Sequence, residues 1–206
     1  MSESDNKTVF IVDDDEGVRR ALSFLLRSAG HAVEIFSSAR EFLERYDATR
    51  RGCVLLDVCM PQSSGLDLQR ELKVRSSALP VIFITGHATI PTAVAALRAG
   101  ALDFIEKPIR EDAVLDSIQR ALDWEDRHHL EATAIAELKV RAATLTPRER
   151  EILDLVAQAE PNKIIAQRLS ISFRTVEIHR SHIMEKLEAK TTSELIRMAI
   201  ALEGAA

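Results

Sequence analysis

The chain has 206 residues, 46% hydrophobic and 29% charged, with a formal net charge of -5, which is enough apolar material for one large domain or two small ones. No apolar run approaches the roughly 20 residues of a membrane helix, and the opening MSESDNKT has neither the basic nor the apolar region of a secretory signal. A cytoplasmic protein without membrane contact is therefore expected.

From Lys7 to about Asp123, short apolar runs alternate with segments of helical period: KTVFIVD, HAVEIF, GCVLLDV, PVIFIT and LDFIEK are the runs. Five strands with intervening helices predict a doubly wound, five-stranded parallel α/β sheet over residues 1–123. Runs this uniformly apolar suit strands covered on both faces. Cys53 and Cys59 flank one run; six residues of strand span roughly 20 Å, beyond disulfide reach. Both are expected to be buried small apolar residues.

The next segment, Asp112 to Ala143, has no Pro or Gly and predicts one or two helices. Leu115, Ile118 and Leu122 make an apolar face for the sheet, and the charges of EDRHH interrupt it beyond Trp124. Leu130, Ala134 and Leu138 then restart a narrow stripe, so residues 124–143 read as a long linker helix, either pairing with a second copy or solvated. His128 and His129 read as solvent-facing.

Residues 144–206 carry helical signals throughout. TPRE places Thr146 at an N-cap with Pro147 first and Glu149 third, and Thr191 with Glu194 repeats the pattern. Pro161 and Asn162 are expected to stop one helix and cap the next, and Ser170 to Ser172 to separate that one from FRTVEIHRSHIMEKLEA. Four short helices predict a small all-α domain with helix-turn-helix spacing. Net charge argues weakly against nucleic acid as the main partner, but its distribution does not: Lys163, Arg168, Arg174, Arg180, Lys186 and Lys190 are opposed within their span only by Glu177, Glu185 and Glu188.

In an open parallel sheet, ligands bind outside the carboxyl ends of the strands. Those ends deliver Asp13, Asp14 and Asp15, then Asp57, then Thr85, then Lys107 followed by Pro108. Clustered acids repel and raise each other's pKa unless a hard divalent cation sits among them, so Mg2+ is implied. Lysine and threonine suit phosphate oxygens, and the fitting chemistry is phosphoryl transfer onto Asp57. Asp15 and Glu16 are expected to serve the N-terminus of the following helix instead.

With these residues in place, positions 7–123 resemble the flavodoxin-like receiver domain of two-component response regulators. The resemblance implies that Asp13 and Asp14 are the acidic pair, Asp57 the phosphoacceptor, Thr85 the switch hydroxyl, Phe104 the switch aromatic and Lys107 the conserved-type lysine. It implies Mg2+ held by Asp14, Asp57 and the backbone carbonyl of Cys59, with Asp13 acting largely through water, and a cis bond between Lys107 and Pro108. Cys59 departs from the family, which more often has a polar or charged residue there. The departure bears on the lifetime of the phosphoryl group.

Rotating SFRTVEIHRSHIMEKLEAK by about 100° per residue puts Val176, Ile183 and Leu187 on one side and Arg174, Ile178, Ser181 and Glu185 on the other. An isoleucine among polar groups on an outer face suits thymine methyls in a major groove. The stretch from Leu145 to Leu187 resembles the LuxR-type helix-turn-helix of the NarL/FixJ class of response regulators. The resemblance places Glu177, Ile178 and Ser181 toward bases and makes Lys163, His179, Arg180 and Lys186 candidates for backbone contacts, with Arg174 and Thr175 also on the DNA side. Ala159, where glycine is usual, and His182, where asparagine is frequent, are departures.

The implied function is that of a transcription factor, not an enzyme: a sensor histidine kinase phosphorylates Asp57, the protein forms a homodimer, binds promoter DNA and acts on RNA polymerase. Two other readings compete. A magnesium-dependent phosphatase with an aspartyl nucleophile would be expected to carry a second acid where Cys59 stands, and a phosphorylation-regulated protein-binding module would lack DNA affinity.

Overall fold

The computed structural model describes residues 7–61, 63–75, 77–86 and 90–204; residues 1–6, on which the reading of the N-terminus rests, lie outside the described residues. The chain divides into two units, Met1–His129 and Leu130–Ala206.

In the first unit, β1 (Lys7–Val12), β2 (Ala32–Phe36), β3 (Arg51–Asp57), β4 (Val81–Thr85) and β5 (Asp103–Glu106) alternate with α1 (Glu16–Ser28), α2 (Ala39–Arg45), α3 (Gly65–Val74), α4 (Ile90–Arg98) and the first part of α5 (Glu111–Ala142), whose residues from Leu130 on belong to the second unit. All strand pairs are parallel and the order is β2-β1-β3-β4-β5. Strand side chains alternate between faces, and both faces are apolar. Phe10, Val12, Val54, Leu56 and Phe83 pack with Phe42, Leu68 and Leu72 of α2 and α3. Val9, Ile11, Leu55, Ile82 and Ile84 pack with Leu22 and Leu26 of α1 and with Val114 and Ile118 of α5.

Strand order reverses between β1 and β3, and register there is decisive. Val12 pairs with Leu56, so Asp13 and Asp57 leave the sheet side by side. Asp57 pairs with Ile84, and Thr85 pairs with Glu106, which brings Thr85 and Lys107 to the same end.

Several expectations need correction. Cys53 is buried and its thiol is pushed up to about 12 by burial, but Cys59 is exposed, because it lies beyond the end of β3, where the sheet no longer covers it. Of the one or two helices expected after β5, the structure has one, α5, within that expectation. The charges after Trp124 do not simply interrupt its docking: Arg51 makes two 2.9 Å bonds to Glu125, which is 3% exposed, and Lys7 pairs with Asp126 at 2.6 Å. Charge pairing takes over where the apolar face ends.

The second unit contains α6 (Pro147–Ala157), α7 (Asn162–Arg168), α8 (Phe173–Leu187) and α9 (Thr192–Gly204). Leu138, expected on a free stripe, is 6% exposed and belongs to this unit's core with Ile152, Ile165, Val176 and Ile183. Thr146 and Glu149 form the predicted capping box, and Thr191 Oγ1 accepts the Glu194 amide at 3.1 Å. Asn162 does not cap α7. Pro161 holds that position without a side-chain bond, and the Asn162 side chain accepts Arg180 Nη1 at 2.8 Å instead.

After α6 the Ala159 amide donates to Val156 and the Glu160 amide to Leu155, with Ala159 at φ 57°. This is the left-handed closure that favours glycine. A Cβ in that region costs roughly 1–2 kcal/mol, partly offset by the greater unfolded-state freedom of glycine. Ala159→Gly is expected to stabilise this unit by about 0.5–1 kcal/mol, read from the urea midpoint.

Candidate functional site

Three groups meet in the crevice at the carboxyl ends of β1, β3 and β5. Lys107 Nζ donates to Asp13 Oδ2 at 2.9 Å and to Asp57 Oδ1 at 3.1 Å. Asp13 is 2% exposed and Asp57 5%. The free oxygens are engaged as well: Asp13 Oδ1 accepts the Asp15 amide and Asp57 Oδ2 the Cys59 amide, both at 2.8 Å. One ammonium thus serves two carboxylates. Burial raises the Asp57 pKa, Lys107 opposes that, the charge on Asp13 adds to it, and the net shift is upward. Burial would lower the Lys107 pKa, but Asp13 and Asp57 outweigh it and hold the amine protonated.

The remaining residues take distinct places. Thr85 is fully buried at the end of β4. Asp14 is exposed, and Asp15 caps α1 by accepting the amides of Gly17 and Val18 at 2.7 and 3.1 Å, as the sequence indicated. Phe104 is partly buried, its ring 6.4 Å from that of Phe83. The Lys107–Pro108 bond is cis.

Two residues were missed by sequence reasoning. Arg19 Nη1 donates to the Asp13 carbonyl at 2.6 Å, a bond that no spacing rule announces. Gly65 donates its amide to Val58 at 3.0 Å, and a Cβ there would lie 2.3 Å from the Asp57 carbonyl oxygen. Only glycine lets α3 start so close to the phosphoacceptor candidate. The SSG stretch was the available signal.

In the second unit, Val176, Ile183 and Leu187 are buried, while Arg174, Glu177, Ile178, Ser181 and Glu185 are exposed. Lys163 is exposed on α7. Thr175 donates its amide to Ser172 Oγ at 3.0 Å and belongs to the start of α8. Other candidates have structural partners: Arg180 binds Asn162, and Lys186 Nζ donates to Glu149 Oε2 at 2.6 Å. Glu149 is 3% exposed. Burial would raise its pKa, but Lys186 and Thr146 outweigh burial and hold it at about 2. His179 is half-buried.

A parallel sheet with an acid–lysine site at its carboxyl edge, followed by a helix-turn-helix unit with an exposed second helix, defines the class as a switch domain joined to a nucleic-acid reader. Comparison with known proteins agrees. Residues 9–119 match the response regulator receiver domain and residues 143–199 the luxR family of bacterial regulatory proteins. The chain is 44% identical over 190 residues to the response regulator protein TodT of Pseudomonas putida, covering 92% of this chain and 84% of that protein. It is 42% identical over 194 residues to the transcriptional regulatory protein FixJ of Rhizobium meliloti, covering 94% and 95%. Among solved structures, the response regulator StyR superposes with a TM-score of 0.76 at 40% identity, covering 95% of this chain and 98% of that one.

The chain therefore belongs to the response regulators that couple a receiver domain to a LuxR-type DNA-binding domain, as FixJ does. Such domains imply a kinase partner and promoter DNA. Receiver domains as a class bind Mg2+ at the phosphorylation site. Among the described residues, no helix is long and apolar enough to cross a membrane.

Two stability measurements test this electrostatic picture. Because the Asp57 pKa is raised on folding, its ionised form costs stability above the unfolded value, and that cost disappears at low pH, where both states are protonated. In metal-free buffer Asp57→Asn should melt higher than wild type at pH 7, with the gain shrinking toward pH 4. Glu149 shifts the other way, down from 4.5, so its contribution is present above the unfolded pKa and is lost as pH falls toward 2. Discounted for the part-exposed ammonium, Lys186→Met should cost on the order of 1–2 kcal/mol at pH 7 and less below pH 4, by urea unfolding.

Proposed function

We propose that Asp57 is the phosphoacceptor of a magnesium-dependent switch that controls promoter binding by α8. The observation that carries the reading is Lys107 Nζ held between Asp13 Oδ2 and Asp57 Oδ1 at 2.9 and 3.1 Å. The donors fit Mg2+, since Asp13, Asp14 and Asp57 offer only hard oxygens and the two buried acids have a single ammonium between them. Asp14, Asp57 and the Cys59 carbonyl would hold the ion, with Asp13 acting through water. When bound it neutralises the oxygens of the incoming phosphoryl group.

Asp57 attacks the phosphorus of a phosphohistidine on the sensor kinase; the P–O bond forms as the P–N bond breaks, and the imidazole leaves with the electron pair. Lys107 and Thr85 then face a group that brings about -1.5 to -2 charge. Thr85 is drawn toward it and Phe104 follows from its place against Phe83, remodelling the surface of α4, β5 and α5. Val94 and Leu97 already expose apolar side chains on α4, at 40% and 48%, which suits a homodimer contact. Two copies would place two α8 helices on an inverted repeat.

On α8, Glu177, Ile178 and Ser181 read bases, and Arg174, Thr175 and His179 of α8 lie toward the phosphates with Lys163 of α7. Arg180 and Lys186 reach DNA only from within their ties to Asn162 and Glu149. We read the protein as a cytoplasmic regulator acting through RNA polymerase, and not as a phosphatase, because the position of a second catalytic acid holds Cys59.

The test is a small phosphodonor with Mg2+. Wild type should take up one phosphoryl group and shift promoter DNA at lower protein concentration, while Asp57→Asn should do neither. Labelling of Asp57→Asn equal to wild type would sink the reading. Asp14→Ala should lose Mg2+ affinity, whereas Asp15→Ala should nearly keep it. Ile178→Ala should relax sequence preference, while Lys163→Ala should weaken binding to all sequences and lower its salt dependence.

A further inference from the structure

We propose that the second unit carries a transition-metal site made by Glu149, His179 and His182. His179 and His182 are three residues apart on α8, which sets both rings on one side of the helix, and Glu149 faces them from the first turn of α6. One ligating atom from each of the three lies within 4.8 Å of the others. Atoms bound to one zinc ion sit about 2.1 Å from it, so in a tetrahedral site two of them are about 3.4 Å apart. Side-chain rotations that move the ligating atoms together by up to about 1.4 Å close that gap.

Two observations separate this cluster from a chance gathering of polar groups. His179 Nδ1 is shut off from solvent and has no hydrogen-bond partner among the described residues, a state that is costly when left uncompensated. Glu149 is 3% exposed, so a buried carboxylate, a group that needs a cation beside it, faces the two rings. The present cation is Lys186, at 2.6 Å from Oε2. Its long stem can release the ammonium to solvent when an ion takes its place.

Two imidazoles and one carboxylate form a set for Zn2+, with Cu2+ and Ni2+ as alternatives, and a poor one for Mg2+. A water would complete four-coordination. His182 is exposed, and it stands where asparagine is frequent in LuxR-type domains. The site would thus not be general to the fold. An ion there clamps α6 to α8. Its consequence for DNA reading rests on the function proposed above, whereas metal binding does not.

The test uses the full chain, stripped of metal and kept in excess Mg2+ to occupy the receiver carboxylates. Zn2+ is titrated in competition with a chromogenic chelator, and melting is followed with and without Zn2+. Wild type should bind one equivalent that His182→Asn binds at least about tenfold more weakly, and Zn2+ should raise the melting temperature of wild type but not of the variant. Lys186→Gln should bind Zn2+ more tightly than wild type, because it removes the competing ammonium. Equal stoichiometry and affinity in wild type and His182→Asn, or no Zn2+ bound by wild type at micromolar concentration, overturns the proposal. Intact promoter control alongside either result would leave the function proposed above standing.

Discussion

Lys107 compensates two buried carboxylates, and the organisation of the first unit follows from that imbalance. Asp13 and Asp57 are held nearly out of water, where two negative charges and one positive leave an uncompensated charge close to -1. The sheet tolerates it because the backbone amides of Asp15 and Cys59 and the Lys107 ammonium take up the carboxylate oxygens. A site built this way is short of positive charge, and it responds when a cation or a phosphoryl group changes the balance. Burial around the site is uneven: β1, β3 and β4 are buried on both faces, whereas β5 is only partly buried.

The second unit solves a related problem with a different outcome. Glu149 is also a buried carboxylate, but it has an ammonium to itself, and Lys186 and the Thr146 amide both donate to its Oε2. Its pKa falls where that of Asp57 rises. The contrast is between an acid whose charge is satisfied by its fold and one whose charge is left partly unsatisfied. The satisfied one ties α6 to α8 through Lys186, and the unsatisfied one is short of positive charge.

Helix ends in the second unit show a further economy. Ala159, Ser170 and Glu188 all adopt left-handed backbone, although each carries a Cβ. The core of Ile152, Ile165, Val176 and Ile183 over-determines these turns, and packing carries a local cost that glycine would avoid. Helix beginnings in this unit are marked instead by the capping bonds of Thr146, Ser172 and Thr191.

By itself the sequence determined the alternation of strands and helices, the two-sided burial of the sheet, the caps at Asp15, Thr146 and Thr191 but not the one expected at Asn162, and which acids, hydroxyl and amine gather at one edge. Those features follow from local periodicity and from the rule that parallel strands present their carboxyl ends together. The buried and exposed sides of α8 were equally legible, because a helix fixes them through its own repeat. Only tertiary structure decided that Lys107 bridges Asp13 and Asp57, that Arg51 reaches Glu125, that Gly65 must lack a side chain, and that Cys59 stands exposed while Cys53 is sealed. It also decided that Arg180 and Lys186 answer to Asn162 and Glu149. Each of these depends on strand register or on the approach of residues far apart in the chain, and neither is encoded in the spacing of near neighbours.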